Sequence, residues 1–428
     1  MKRIFLNLII VVSATSWAQT ASLNDTIVLS RVQAETIFLE KNISIIAEKL
    51  NINIAEAQII QAKLWPNPNL SIGEINLWNN ATSEKLPPLW NNFGTTSEVT
   101  VAIEQLIQTA GKRKKMIAIE KVGAEIAKEY FNDFLRNLKI EFRNNLTELQ
   151  YIQAQQSVYK KQLASMQSLL KAFKNQVSQG NIGKGEYTRL KASELQFLKE
   201  LSDLQKQNNQ LQKELIVLMN LPAAGFIKLT NDGFTPNEQS IDNINPGLLI
   251  ESALANRPDV KVLKLQNTYN ENKYKYEKSL RTPDVTLQAS YDRGGNIMNN
   301  FVGFGFAFDL PFFNRNQGNI KSAKVAVTQS TLVNEQKQIS VQAEVLQAYA
   351  DLLSFKKLYD SVDPGYETDL DKLLDNYRKN FVQRNTSMLE YLDFVQAYLE
   401  NKSIILTSKK ELNTHLEQLR YITGQEIN

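Results

Sequence analysis

The chain has 428 residues, 43% of them hydrophobic, enough to bury a sizeable core or to pack long helices. It has no cysteine and one histidine, His415, so disulfides, a thiolate metal site and a cysteine nucleophile are excluded, and a metalloenzyme or a histidine-based triad has almost no material. The formal net charge is +4, with 49 Lys and Arg against 45 Asp and Glu, which is not the balance of a nucleic-acid binder.

The first element in chain order is a secretory signal, residues 1–18, in "MKRIFLNLIIVVSATSWAQT". It has a basic start (Lys2, Arg3), an apolar run from Ile4 to Val12 and small residues before a cut after Ala18. That run is too short to span a bilayer, which disfavours a membrane anchor. Without Lys2 and Arg3 the charge is +2. No run of 18 apolar residues follows, so any membrane crossing falls to strands.

Residues 19–221 form a first structural repeat, with strands predicted at about 69–77 and 97–108. "EVTVAIEQLI" (98–107) places Val99, Val101 and Ile103 on one face and Glu98, Thr100, Ala102 and Glu104 on the other. The loop between the strands carries Trp78, Trp90 and Phe93, aromatics of the kind found at a membrane surface. "GKRKK" (111–115) then opens a helix that runs from Lys112 to about Val177 with no proline and one glycine, Gly123, roughly 100 Å at 1.5 Å per residue. Cations there fit a helix starting directly after a lipid strand.

From Tyr159 the apolar positions Leu163, Met166, Leu170, Phe173 and Val177 follow in steps of four and three. After a turn at 178–185 the same steps link Phe197, Leu201, Leu204, Asn208, Leu211, Leu215 and Leu218. This is an antiparallel coiled-coil hairpin with a/d packing, and Asn208 on its seam is a candidate to fix register. "GNIGKG" (180–185) is a turn rather than a phosphate loop, because Gly follows Lys184 where Ser or Thr is needed.

A Pro-, Gly- and Asn-rich joiner, 222–246, leads to a second repeat, 247–428, with strands at about 284–292 and 300–310. "QGNIGKGEYTRL" (179–190) matches "QRNTSMLEYLDF" (383–394) at an offset of 204, and "LWPNPNLSI" (64–72) resembles "LRTPDVTLQ" (280–288). Each half reads helix, strand, loop, strand, very long helix, turn, helix. In the second half Val285 and Leu287 share an apolar face, as do Val302, Phe304, Phe306 and Phe308, with Gly303, Gly305 and Ala307 opposite. Such alternation suits a sandwich strand over a core or a barrel strand facing lipid. Strands of 9–11 residues between helices whose seams are already committed favour lipid. Four strands cannot close a barrel, and an open edge in lipid leaves backbone groups without partners, so the chain must oligomerise. Two copies give eight strands and three give twelve.

This duplicated layout resembles the TolC-family outer-membrane efflux proteins over nearly the whole mature chain. "PNPNLSIGEINLW", "EQLIQTAGKRKK" and "FDLPFFNRNQGNIKSAK" are most similar to the CzcC-type heavy-metal efflux branch. The resemblance implies a mainly α fold with a small β part: a homotrimer whose α-helical tunnel is capped by a 12-stranded transmembrane β-barrel, four strands per chain. It also implies outer-membrane lipid around the barrel, and a periplasmic adaptor and an inner-membrane pump as partners. No enzyme activity, cofactor, metal site or nucleic acid is implied. Many relatives carry a lipidated cysteine at the mature N-terminus, and this chain has none.

The resemblance places a periplasmic entrance at the hairpin turns. "MLEYLD" (388–393) matches the acidic segment there, with Glu390 and Asp393 three apart on one helix face. Glu186 stands at the equivalent position of the first repeat, and Arg189 and Arg384 are candidates to pair with these carboxylates and hold the mouth shut. Rings of carboxylates favour cations; a solvated coiled-coil face is the plainer reading. Pro311, Gly318 and Gly111 are expected to mark the barrel-to-tunnel boundary, Pro311 because it lacks the N–H that strand pairing needs. The expected function is a passive export duct for heavy-metal cations, with small organic molecules or secreted protein as alternative cargo. A periplasmic coiled-coil adaptor is the alternative from another class, and a secreted hydrolase lacks a nucleophile–base pair.

Overall fold

The computed structural model describes residues 25–76, 88, 98–222, 225–232, 234, 241, 244–294 and 300–425. The signal segment, Trp78, Trp90 and Phe93, and parts of the joiner lie outside the described residues. The chain divides into two compact units, one of Met1–Ile43, Glu141–Pro236 and Phe355–Thr414, the other of Ser44–Ile140, Asn237–Ser354 and His415–Asn428.

In the first unit β1 (Asp25–Leu29) leads into α1 (Arg31–Lys41). Ser30 caps α1 with a reciprocal bond to Gln33, satisfying donors that the first turn leaves free. The single helix α3 (Lys112–Ser178) enters this unit with its C-terminal part and turns into α4 (Lys184–Leu218). β4 (Gly225–Leu229), within the joiner, pairs in parallel with β1. A two-stranded sheet leaves edges, and glutamines cover that of β4: Gln212 both donates to the Ile227 carbonyl and accepts its N–H, and Gln153 and Gln150 bond Leu229 and Thr230. Phe38 of α1 stacks on Phe142 of α3 at 4.3 Å between ring centroids.

The two hairpins do not pack separately. Met166, Leu170, Leu190 and Phe197 from the first repeat share one core with Leu374, Phe381, Tyr391 and Val395 from the second. The heptad positions Phe197, Asn208, Leu211, Leu215 and Leu218 are buried, as the spacing requires. Asn208, however, accepts a hydrogen bond from Gln212 of its own helix. That bond fixes no register across the hairpin.

The second very long helix is broken. α7 (Gln317–Asp360) stops and α8 (Tyr366–Val382) restarts after "SVDPG" (361–365), before α9 (Met388–Thr423). Pro364 lacks the N–H an uninterrupted helix would use, and Gly365 takes a φ of 92° that only glycine adopts at no cost.

The second unit holds α2 (Ile43–Lys63), β2 (Asn69–Asn76), β3 (Glu98–Ile107), α5 (Pro246–Asn256), α6 (Pro258–Ser279), β5 (Val285–Arg293) and β6 (Asn300–Ala307). The strands form one antiparallel sheet in the order β2-β3-β5-β6, which joins the strand pairs of the two repeats through β3 and β5. Four strands are present where four are expected, but the last ends at Ala307, three residues short of 310. Ladder pairing stops at Ala307 with Thr286, ahead of Pro311, which lies in the following loop.

Candidate functional site

Cross-strand register assigns each side chain to a face. Leu70 and Ile72 face Ile103 and Val101, which face Ala289 and Tyr291, which face Phe304 and Val302. One surface of the sheet is therefore apolar from edge to edge. It is also uncovered: Ile72 is 59% exposed, Leu287 51%, Phe304 85% and Phe306 71%. Val99, Val285 and Leu287 lie on this surface by register, and Phe308, just past the strand end, keeps to it by stacking its ring on Phe306. The other surface is polar. Gln288 donates to Glu104 at 3.0 Å, and Thr100 to Asp292 at 3.4 Å. Gly303 there lies under the Phe301 ring, so the glycine makes room for an aromatic rather than leaving open space. Among the described residues no helix is long and apolar enough to cross a membrane. The bare apolar face of the sheet is carried by the strands.

Where the sheet meets α3, Ala110 and Gly111 both adopt positive φ, 51° and 67°, to reverse the chain. Lys112 is buried and donates to Asp284 at 2.7 Å and to the Thr282 carbonyl at 2.6 Å, tying the start of α3 to the start of β5. Arg113 stacks over Trp65 at 3.9 Å. Gly318 stands inside the first turn of α7, and the positive φ at that junction belongs to Asn316.

The hairpin turns of the first unit share one geometry. Gly180 and Arg384, 204 residues apart, each take a left-handed conformation as their helix ends. The following N–H returns to the helix in both, Asn181 to Gln176 and Asn385 to Asn380, at 2.9 Å. Their exits differ. Ser387 caps α9, and Glu390 completes a capping box, its Oε2 accepting from the Ser387 N–H at 2.9 Å and from its hydroxyl at 2.8 Å. These bonds hold the Glu390 carboxyl below its ordinary pKa. Gly183 caps α4 with no side chain, so Glu186 has no such role. Asp393, Glu186, Arg189 and Arg384 are exposed, and none forms an ion pair among the described residues.

A second polar cluster, which sequence reasoning missed, lies within the second unit. Arg257 is buried between α5 and α6 and clamps Asp259 at 3.0 and 2.7 Å and Glu344 of α7 at 2.6 Å. Lys337 reaches Asp259 at 2.8 Å, and Arg136 of α3 lies 3.6 Å from it. Arg136 also bonds Asp133 and the Tyr421 carbonyl near the end of α9. Burial resists ionisation of Asp259, but hydrogen bonds from Arg257 and Lys337 outweigh it and hold the carboxyl well below the usual carboxylate range. The local signal was "NRPDV" (256–260), where Pro258 at the first helical position and Asp259 in the first turn mark a helix start directly after Arg257.

Duplicated coiled-coil hairpins in the first unit and an open sheet with one bare apolar surface in the second define a mainly helical protein whose sheet is suited to face lipid. The outer membrane efflux protein family model matches residues 37–221 and 249–425, and the chain belongs to that family. Solved structures share the fold. The chain is similar to CusC, solved in a study of folding and transmembrane channel formation (TM-score 0.73, 19% identity, 96% of each chain). It is also similar to the Campylobacter jejuni outer membrane channel CmeC (0.72, 14%, 92% of this chain and 85% of that one) and to the outer membrane protein VceC of Vibrio cholerae (0.68, 14%, 93% and 97%). No curated protein matches the chain. The protein is thus an outer-membrane efflux channel component.

Proposed function

We propose that the chain is one of three identical subunits of an export duct, with twelve strands forming one barrel and the helices a periplasmic tunnel. The supporting observation is that each open sheet edge continues into a helix with an unpartnered apolar stripe. β2 follows α2, where Ile43, Ile46, Leu50, Ile54 and Ile60 are all more than half exposed. β6 leads into α7, where Val325, Leu332, Ile339, Leu346 and Leu353 recur every seven residues and are all exposed. Edges of different sequence meet head to tail, β6 and α7 of one copy on β2 and α2 of the next, and the ring must close in lipid. The absence of cysteine makes the test clean. Leu50 and Leu332 both lie about 20 Å along their helices from the sheet. Oxidising the Leu50→Cys, Leu332→Cys double variant should give linked dimers and trimers and nothing larger. A monomer alone, or a ladder beyond three, overturns the reading.

The resemblance to the CzcC-type branch supports heavy-metal cations as cargo, delivered by an adaptor and an inner-membrane pump docking at the hairpin turns. Asp393 and Glu186 are the carboxylates there free to face a passing cation, because Glu390 is held by Ser387. A deletion strain should become sensitive to zinc, cobalt, cadmium or copper. Unchanged tolerance to all four rejects metal cargo in favour of small organic molecules or protein. Asp393→Ala should lower cation selectivity in single-channel recordings, and unchanged selectivity removes it from the entrance.

A further inference from the structure

Helices normally start with acids and end with bases, because the N-terminus carries partial positive charge. The helices that leave this sheet break that rule. α3 begins Lys112-Arg113-Lys114-Lys115 with no acid in its first turn, and α7 begins just after Arg315, also with none. The helices that arrive at the same end of the sheet finish with Lys63 and Lys278, and Arg281 follows the second. All four helix ends are therefore basic; the positive poles of the two departing helices are offset by the negative poles of the two arriving ones, so the net charge here is that of the side chains.

Local acids do not balance this charge. Asp284 is taken by Lys112, and Glu277 accepts from Asn316 at 2.6 Å. Asp309 is the other carboxylate of these junctions. Lys63, Lys114, Lys278, Arg281 and Arg315 are exposed. Arg113 is held flat against Trp65 and gives one N–H to the Lys63 carbonyl at 3.1 Å. Its other donors meet no acceptor among the described residues.

The belt is continuous with the bare apolar surface. Beyond β6 the exposed residues run Phe308, Leu310, Phe312 and Phe313, then Arg315; ahead of β2, Trp65 precedes Leu70 and follows Lys63. Apolar, then aromatic, then basic is the order of a bilayer from its hydrocarbon to its headgroups.

We infer that this belt binds the anionic headgroups of the phospholipid leaflet on the helix side of the barrel, with Arg113 on Trp65 as its fixed phosphate contact. The inference rests on the reading of the sheet as part of a transmembrane barrel. Each cation near a charged leaflet changes binding about fivefold. The full-length protein is reconstituted into nanodiscs of phosphatidylcholine with about a third phosphatidylglycerol, and retained lipid is measured by native mass spectrometry. The wild type should retain phosphatidylglycerol preferentially, less so at high salt. Arg113→Gln with Lys114→Gln should cut that preference roughly twenty-five-fold, while a control, Lys213→Gln on α4, leaves it unchanged. Channel conductance confirms that each variant is inserted. Equal retention of both lipids by an inserted wild type, or an unchanged preference in the inserted double variant, overturns the inference and leaves the barrel reading standing. Failure of the wild type to insert overturns both. Displacement of the lipid by millimolar inorganic phosphate identifies a site for a free anion and overturns the lipid assignment.

Discussion

Asp259→Asn is the sharpest test of what holds the second unit together. The substitution keeps the side chain's size and its bond to the Val260 N–H while removing one charge. That charge neutralises Arg257, which is 3% exposed, and is shared with Lys337 and Arg136. Breaking a buried pair on one side costs about 3–5 kcal/mol because the other side is left uncompensated. Glu344 still contacts Arg257 at 2.6 Å, so the lower end applies, about 3 kcal/mol. For a unit of this size that is a melting-point loss of about 6–12 °C. The pH dependence has a definite sign. Asp259 binds its proton more weakly folded than unfolded, so its contribution is full above the unfolded carboxylate value, about 4, and falls as pH drops below it towards the folded value. Glu344, also depressed by Arg257 against the pull of burial, follows the same sign. Thermal unfolding in detergent, followed by circular dichroism at pH 7 and pH 3, should show a large gap between wild type and variant that narrows in acid. A variant as stable as wild type at pH 7, or a gap that stays constant to pH 3, refutes the clamp.

Three further outcomes follow from the helical core and its turns. Phe381→Ala removes a buried ring stacked on both Phe173 and Tyr391, at 5.3 and 4.8 Å, and should cost about 3–5 kcal/mol in urea unfolding. Arg384→Gly should stabilise the protein by about 1 kcal/mol, because a non-glycine residue at φ 63° is strained; a loss instead would show that its side chain has a partner in the assembled channel. Ser387→Ala should destabilise α9 by about 1 kcal/mol and return the Glu390 carboxyl towards its ordinary pKa, which NMR titration would detect.

Much of the fold was legible because its signals are periodic. Alternation in "FVGFGFAF" and heptads from Tyr159 onward repeat often enough to assign faces, and the 204-residue offset between the turns at Gly180 and Arg384 reappears as one shared turn geometry. What periodicity cannot carry is a single pairing across distance. The β1–β4 ladder joins Asp25 to Gly225 through backbone bonds that leave no pattern in the sequence. Lys112 looked like one cation among four, and only the approach of Asp284 makes it a buried tie. The acidic segment shows the converse. Glu390 and Asp393 are equivalent by spacing, yet Ser387, three residues before Glu390, commits one carboxylate to a helix cap and leaves the other free. The matching residue in the first repeat is Gly183, so duplication preserved the turn while letting the two caps diverge. If the turns act as an entrance, its two hairpins therefore start from unequal stiffness, with the uncapped α4 end the easier to fray. Amide exchange should be faster at Glu186 and Tyr187 than at Glu390 and Tyr391, and the reverse order would show that assembly, rather than capping, sets the stability of the turns.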